Sequence, residues 1–167
     1  MAADLTLRHA TVPTPFGPFT VVLSPEGVVA TTGGDPGELV DELARRLGVV
    51  SRVAALRAAT RDLEAYFGGR RARMRTPADL RLVGTTFARA VLEVTGTIPY
   101  GELRTYGDIA AEAGRPGAAR AAGSALARSP IELFVPCHRV VPSGPGLGSY
   151  GGSEDRRATL LRFEGAI

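Results

Sequence analysis

The stretch TYGDIAAEAGRPGAARAAGSALARSP, from Thr105 to Pro130, decides how the second half of this chain folds. Its first part, Tyr106 to Ala113, reads as a short helix with Ile109 and Ala110 turned inward. Gly114-Arg115-Pro116-Gly117 follows as a turn, with Pro116 suited to the first position of the next helix. That helix runs from Ala118 to Arg128 and is ended by Pro130. Two short helices joined by a glycine-containing turn make a helix-turn-helix, a unit that binds DNA, although ordinary core helix pairs share the pattern.

The second helix is unusual in its side chains. Ala118, Ala119, Ala121, Ala122, Gly123, Ser124 and Ala125 are all small, and Arg120 is the only large residue before Leu126. Small residues let helices pack closely. They also make a helix slim enough for the minor groove of DNA, only about 6 Å wide, and Arg120 would then be the one side chain able to enter the base stack.

Upstream, Thr85 or Thr86 can cap a helix bearing Phe87, Val91 and Val94, which Gly96 and Pro99 end. Downstream, Ile131 to Val135 is an apolar run of strand length between Pro130 and Pro136, and it leads into Pro136-Cys137-His138-Arg139-Val140-Val141. A glycine-rich loop, PSGPGLGSYGG, carries Tyr150 and suits a flat ligand lying against backbone. A last helix, Asp155 to Phe163, ends beside Glu164.

The first half reads as scaffold. Phe19, Val21 and Leu23 alternate, Pro25-Glu26-Gly27 turns the chain, and Val28-Val29-Ala30 returns as a hairpin. Asp35-Pro36 starts a helix with Leu39, Val40, Leu43 and Leu47 on one stripe. A second helical pattern carries Leu56, Ala59, Leu63 and Phe67 and stops at Gly68-Gly69, before a basic, polar linker from Arg70 to Pro77. The expected architecture is α/β (α+β): a small sheet-and-helix domain over residues 1–78, then a mainly helical domain with the helix-turn-helix over residues 79–167.

Composition narrows the function. The chain has 167 residues, 44% of them apolar, and a formal charge of +3, with every Lys-or-Arg position filled by arginine. Arginine forks onto phosphate oxygens, which suits a polyanionic partner, but the same bias can reflect a GC-rich genome. One cysteine excludes an internal disulfide and any multi-cysteine zinc site, and the histidines are only His9 and His138. The N-terminus lacks the apolar core of a signal peptide, and no run is of membrane-spanning length, so a reducing cytoplasm is expected.

A lone cysteine is ordinarily an inert core residue. Cys137, however, adjoins His138, and an imidazole is the usual means of generating the nucleophilic thiolate. Neighbours on a strand face opposite ways, so their cooperation calls for a bridging water or a turn.

The run PCHRVV resembles the active-site signature of the O6-alkylguanine-DNA alkyltransferases. Further segments match in the family's order: IPYGE at Ile98–Glu102, TYG at Thr105–Gly107, GRPGAARAAG at Gly114–Gly123, and the glycine-rich loop ending at Gly152. The resemblance is continuous from about Phe87 to Glu164, and TPFGPFTVV at Thr14–Val22 is similar to the family's weaker opening. It implies that Cys137 accepts the alkyl group, irreversibly and once per molecule. It implies that His138 takes the thiol proton through a water, with Glu164 steadying the imidazole. Tyr106 would press on the phosphate, help extrude the nucleotide and hydrogen-bond the departing guanine. Arg120 would replace the flipped base, with Ala118, Ala119, Ala121 and Gly123 against DNA. Tyr150, Val140, Gly151, Pro136 and Arg157 would form the pocket. The implied partner is double-stranded DNA carrying O6-alkylguanine, bound by a monomer, with neither cofactor nor metal. Arg139 is expected to pair with a carboxylate or backbone in the core.

The chain departs from the family pattern at Ser129, where members usually carry an asparagine before Pro130, at Leu92 in place of tryptophan, and at Ser149 in place of asparagine. Ser129 is the expected hinge between the recognition helix and the reactive turn. Two rivals remain: a non-catalytic lesion-binding relative, against which Cys137 argues, and a helix-turn-helix regulator with a cysteine sensor. The regulator's helix should offer long polar side chains to base edges, and this one does not.

Overall fold

A computed structural model describes residues 5–70, 73–148, 150 and 154–167. Contacts divide the chain into two compact units: one reaches to Leu82 and includes Pro130–Phe134, the other comprises Val83–Ser129 and the chain from Val135 onward. The class is mixed α/β, with a four-stranded sheet and, among the described residues, six α-helices.

In the first unit the expected hairpin is strands β2 (Gly17–Ser24) and β3 (Gly27–Thr32), paired antiparallel. Sequence did not reveal β1 (Leu7–Thr14), antiparallel to β2, or β4 (Ser51–Val53), parallel to β1; the sheet order is β3-β2-β1-β4. The reason is physical. Only Leu7 and Val12 of β1 are buried, so its apolar signal is weak. Helix α1 (Pro36–Leu47) starts as read: Asp35 accepts from the Gly37 N–H at 2.8 Å, and Pro36 opens the first turn. Its Leu43 joins Leu7, Val22, Val29 and Ala30 in the core, with Leu39 and Leu47 alongside. Helix α2 (Arg57–Phe67) buries Ala59, Leu63 and Tyr66, while Phe67 stacks edge-on against Phe16 at 5.7 Å.

Sequence places a single boundary after residue 78, and the structure departs from that. Residues 79–82 and 130–134 group with the first unit because they extend the open edge of β3. The Asp79 N–H donates to the Val28 carbonyl at 2.7 Å and the Thr31 N–H to that of Pro130 at 2.9 Å. Thr31 Oγ1 in turn accepts from the Glu132 N–H at 2.7 Å.

In the second unit α3 (Thr86–Thr95) is capped by Thr85, which accepts from the Ala88 N–H at 3.1 Å. Strand β5 (Arg104–Thr105) leads into α4 (Tyr106–Glu112), whose start is a reciprocal Thr105–Asp108 capping box. Helix α5 (Ala119–Ala127) completes the helix-turn-helix. Pro116 does not open α5. It occupies a turn closed by the Ala118 N–H donating to the Arg115 carbonyl at 3.1 Å, with Gly117 at φ 82°. Proline followed by a left-handed glycine suits a type II turn, so Gly117 carries the reversal that proline at a helix start would not make.

The expected strand at Ile131–Val135 is not formed. Leu133 has φ 65°, and Phe134 N–H closes a three-residue turn on the Glu132 carbonyl at 2.7 Å. The flanking prolines offer no amide donors to a ladder, which leaves irregular turns as the alternative. Beyond it, Cys137–Arg139 is a 3₁₀ turn, β6 (Val140–Val141) pairs parallel to β5, and α6 (Glu154–Glu164) closes the unit.

Candidate active site

The 3₁₀ turn resolves the problem that a strand would pose for Cys137 and His138. The Cys137 N–H bonds to the Val135 carbonyl at 2.8 Å and the Arg139 N–H to that of Pro136 at 3.0 Å. The Val140 N–H returns to the Cys137 carbonyl. This winding takes His138 fully into the interior, while Cys137 keeps 4% of its surface.

Inside, Glu164 collects a set of donors. His138 Nε2 lies 2.6 Å from Oε1, and Arg139 adds a two-pronged bond, Nε to Oε2 and Nη2 to Oε1, each at 2.9 Å. The Gly101 N–H donates to Oε2 at 3.1 Å, and Arg139 Nη1 donates to the Ile98 carbonyl at 2.7 Å. Arg139 is thus a core residue paired with carboxylate and backbone. Gly101 has φ 79°, and a Cβ there would sit 3.2 Å from the Glu164 carbonyl oxygen, so this close approach favours glycine.

Burial by itself would raise the Glu164 pKa, but the bonds from His138 and Arg139 outweigh it and bring it down to about 2. The group is a carboxylate at neutral pH. For His138 burial dominates and lowers the pKa, against the opposing pull of Glu164. The imidazole is therefore held neutral. A carboxylate accepts only, so the Nε2 that faces it carries the proton, and Nδ1 presents its lone pair. Among the described residues Nδ1 has no hydrogen-bond partner.

A second cluster surrounds Arg157, which is 3% exposed. Its Nη2 donates to the Tyr106 hydroxyl at 3.0 Å, its Nη1 donates to the Leu147 carbonyl, and its guanidinium lies 5.4 Å from the Tyr150 ring centroid. Tyr150 also meets His138 edge-on, with centroids 6.3 Å apart. Tyr106 lies across Gly123 of α5: a Cβ there would be 3.7 Å from the ring. A continuous line of contacts so runs from Glu164 through His138, Tyr150, Arg157 and Tyr106 to α5.

Other expected residues lie apart from this line. Arg120 and Ala121 are exposed on α5, whereas Ala118, Ala119 and Gly123 are half-buried and Ala122 and Leu126 face the core. Ser129 follows α5, its N–H on the Leu126 carbonyl at 3.1 Å. Pro136 and Val140 are buried beside Cys137, and Gly151 falls outside the described residues. The sequence marks no role for Ile98 or Gly101, although both lie in the IPYGE run. Their contribution is a backbone carbonyl and a backbone amide, which side-chain chemistry does not advertise. Among the described residues no three or more His, Cys, Asp or Glu side chains converge to hold a metal ion.

Comparison with known proteins gives one consistent result. The family described as 6-O-methylguanine DNA methyltransferase, DNA binding domain, matches residues 86–166. The chain is 41% identical over 152 residues to a methylated-DNA–protein-cysteine methyltransferase of Mycolicibacterium paratuberculosis, spanning 87% of this chain and 91% of the relative. Its fold is similar to that of Mycobacterium tuberculosis OGT in complex with DNA, at TM-score 0.79 and 35% identity over 95% of this chain and 93% of the other. The O6-methylguanine-DNA methyltransferase of Pyrococcus kodakaraensis matches at TM-score 0.68 and 26% identity, covering 96% and 99% of the two chains.

Proposed function

The chain belongs to the methylated-DNA–protein-cysteine methyltransferase family, and on that premise we propose that it repairs O6-alkylguanine in duplex DNA by moving the alkyl group irreversibly onto Cys137. The observation that carries this reading is the buried Glu164–His138 pair, whose open nitrogen, Nδ1, belongs to the residue next to the only cysteine.

The thiol proton of Cys137 passes, through a bridging water, to His138 Nδ1, and Glu164 stabilises the imidazolium that forms. The thiolate then attacks the alkyl carbon. A carbon–sulfur bond forms as the carbon–O6 bond breaks, its electron pair leaves with guanine, the proton held by His138 passes through water to the base, and Tyr106 stabilises the departing guanine by a hydrogen bond near N3. Arg157 supports the last step: guanidinium only donates, so the Tyr106 oxygen accepts from it and its own O–H is left to point at the substrate. The product thioether has no cheap hydrolytic exit, so each molecule acts once.

In a duplex O6 is stacked and paired, and a thiolate cannot reach it in line, so the nucleotide must flip. Arg120 fills the gap in the stack from the exposed face of α5, and the small residues Ala118, Ala119, Ala121 and Gly123 admit that helix to the minor groove. Tyr150, Pro136, Val140 and Arg157 line the pocket. Val140 N–H is already bonded to Cys137, so its carbonyl is the group open to a guanine edge. Ser129 serves as the hinge. The protein works as a monomer in the cytoplasm, without a cofactor.

The test is intact-mass spectrometry with excess duplex carrying O6-methylguanine. One methylene should be gained, on the peptide containing Cys137, and the reaction should then stop. Sustained turnover, or lesion binding without a mass change, overturns the proposal.

A further inference from the structure

Arg46, Arg81, Arg104 and Arg139 are each paired with a carboxylate. Four others behave differently. Arg61, Arg70, Arg73 and Arg75 are exposed, line one groove of about 780 Å³, and enter no ion pair among the described residues. All four belong to the first unit, which the repair chemistry does not use.

The groove is built on a fixed frame. One wall is the outward stripe of α2, where Ala58, Arg61 and Ala65 recur at helical spacing, with Gly68 just past its end. The other is the chain from Arg73 to Pro77. Exposure alternates along it, with Arg73, Arg75 and Pro77 outward and Met74 and Thr76 half-buried, and the chain bends at Thr76. Arg73 and Arg75 therefore both face solvent, two residues apart in the chain. Asp62 ties the walls together: its Oδ2 accepts from the N–H groups of Arg75 at 3.0 Å and Thr76 at 2.7 Å, and from Thr76 Oγ1 at 2.6 Å. Those bonds hold its charge inward. Glu64 is the one exposed carboxylate among the lining residues, so positive charge prevails.

A row of exposed guanidiniums along an open groove suits a line of negative charges better than a single buried anion, since arginine forks onto phosphate oxygens. We infer that this groove is a second DNA contact, which holds backbone phosphates away from the lesion without reading sequence. The inference rests on the proposed action on DNA and extends it to the first unit. The contact raises occupancy on long DNA and leaves the alkyl-transfer step itself untouched.

The test uses the full chain with Arg61, Arg73 and Arg75 all changed to Ala, and a matching variant with all three changed to Lys. Binding to a long unmodified duplex is followed as salt is raised. Each lost phosphate contact reduces the steepness of log K against log salt by about 0.9, so the alanine variant should lose roughly 2–3 from that slope. The lysine variant should keep most of it, and a short duplex that spans only the lesion should show little change. Reaction with free O6-benzylguanine should match wild type, which reports an intact fold and site. An unchanged slope and affinity on the long duplex would overturn the inference. Failure of wild type to react with the free base would instead strike the alkyl-transfer reading, so the two failures are separable.

Discussion

Asp62 and Glu164 are buried carboxylates, one in each unit, and each gathers several hydrogen bonds. Asp62 accepts from two backbone amides and a threonine hydroxyl, groups that do not change charge near neutral pH. Its bonds fasten the chain after α2 and ask nothing further of it. Glu164 accepts from a histidine, an arginine and the Gly101 amide, and the second nitrogen of that histidine has no partner among the described residues. Both are buried, Asp62 with three bonds and Glu164 with four. What separates them is whether the network ends on fixed donors or on a titratable ring with an outlet toward a nucleophile.

The largest effect that would sharpen this contrast comes from Glu164. Glu164→Ala strands the Arg139 charge in the interior, and breaking a buried pair this way costs about 3–5 kcal/mol in denaturant unfolding. Glu164→Gln keeps the shape but not the negative charge that fixes the His138 tautomer and steadies the imidazolium. Single-turnover transfer by that variant should fall about 10²- to 10⁴-fold, the usual worth of a positioned base. A rate within a few-fold of wild type would remove the distinction between the two carboxylates.

Acid should weaken the fold in two stages. His138 has a lowered pKa in the folded state, so its contribution is complete above the ordinary value of 6.5 and is lost as pH falls below it. Glu164 is lowered from 4.5 to about 2, so its contribution is complete above 4.5 and disappears as pH falls toward 2. Unfolding free energies between pH 7 and pH 3 should show both declines in wild type and only a reduced lower one in Glu164→Gln. Matching profiles for the two proteins would mean that Glu164 is not ionised by its partners.

The smallest effect belongs to Asp62. Asp62→Ala leaves the Arg75 and Thr76 amides without their acceptor and should lower stability by about 1–3 kcal/mol. Transfer from free O6-benzylguanine, followed at a temperature where the variant is folded, should stay at the wild-type rate. A matching loss of rate would tie the first unit to the chemistry.

Legibility followed how local each signal is. The caps at Asp35 and Thr85, the β2–β3 hairpin and the two short helices around Gly114–Gly117 depend on neighbours a few residues apart, and all were readable. Strand β1 was not, because its polar residues carry little apolar alternation and it is placed by pairing with β2 and β4. The run Ile131–Val135 misled for the opposite reason: it is apolar enough for a strand, but prolines at both ends and the turn at Leu133 deny it a ladder.

From residue order alone came the class of fold, the helix-turn-helix, the small-residue helix with its single long Arg120, and Cys137 beside His138 in a family signature. These follow from side-chain size, periodicity and chemical type, which are properties of neighbouring residues. Tertiary structure alone decided that a 3₁₀ turn, not a strand, carries Cys137 and His138. It also decided that Gly101 and Arg139 join His138 on Glu164, and that Arg157 links Tyr106 to Tyr150. Those groups lie up to 63 positions apart in the chain. Their common cause is burial: a charge taken from water must gather every donor within reach, and only the folded chain determines which donors those are.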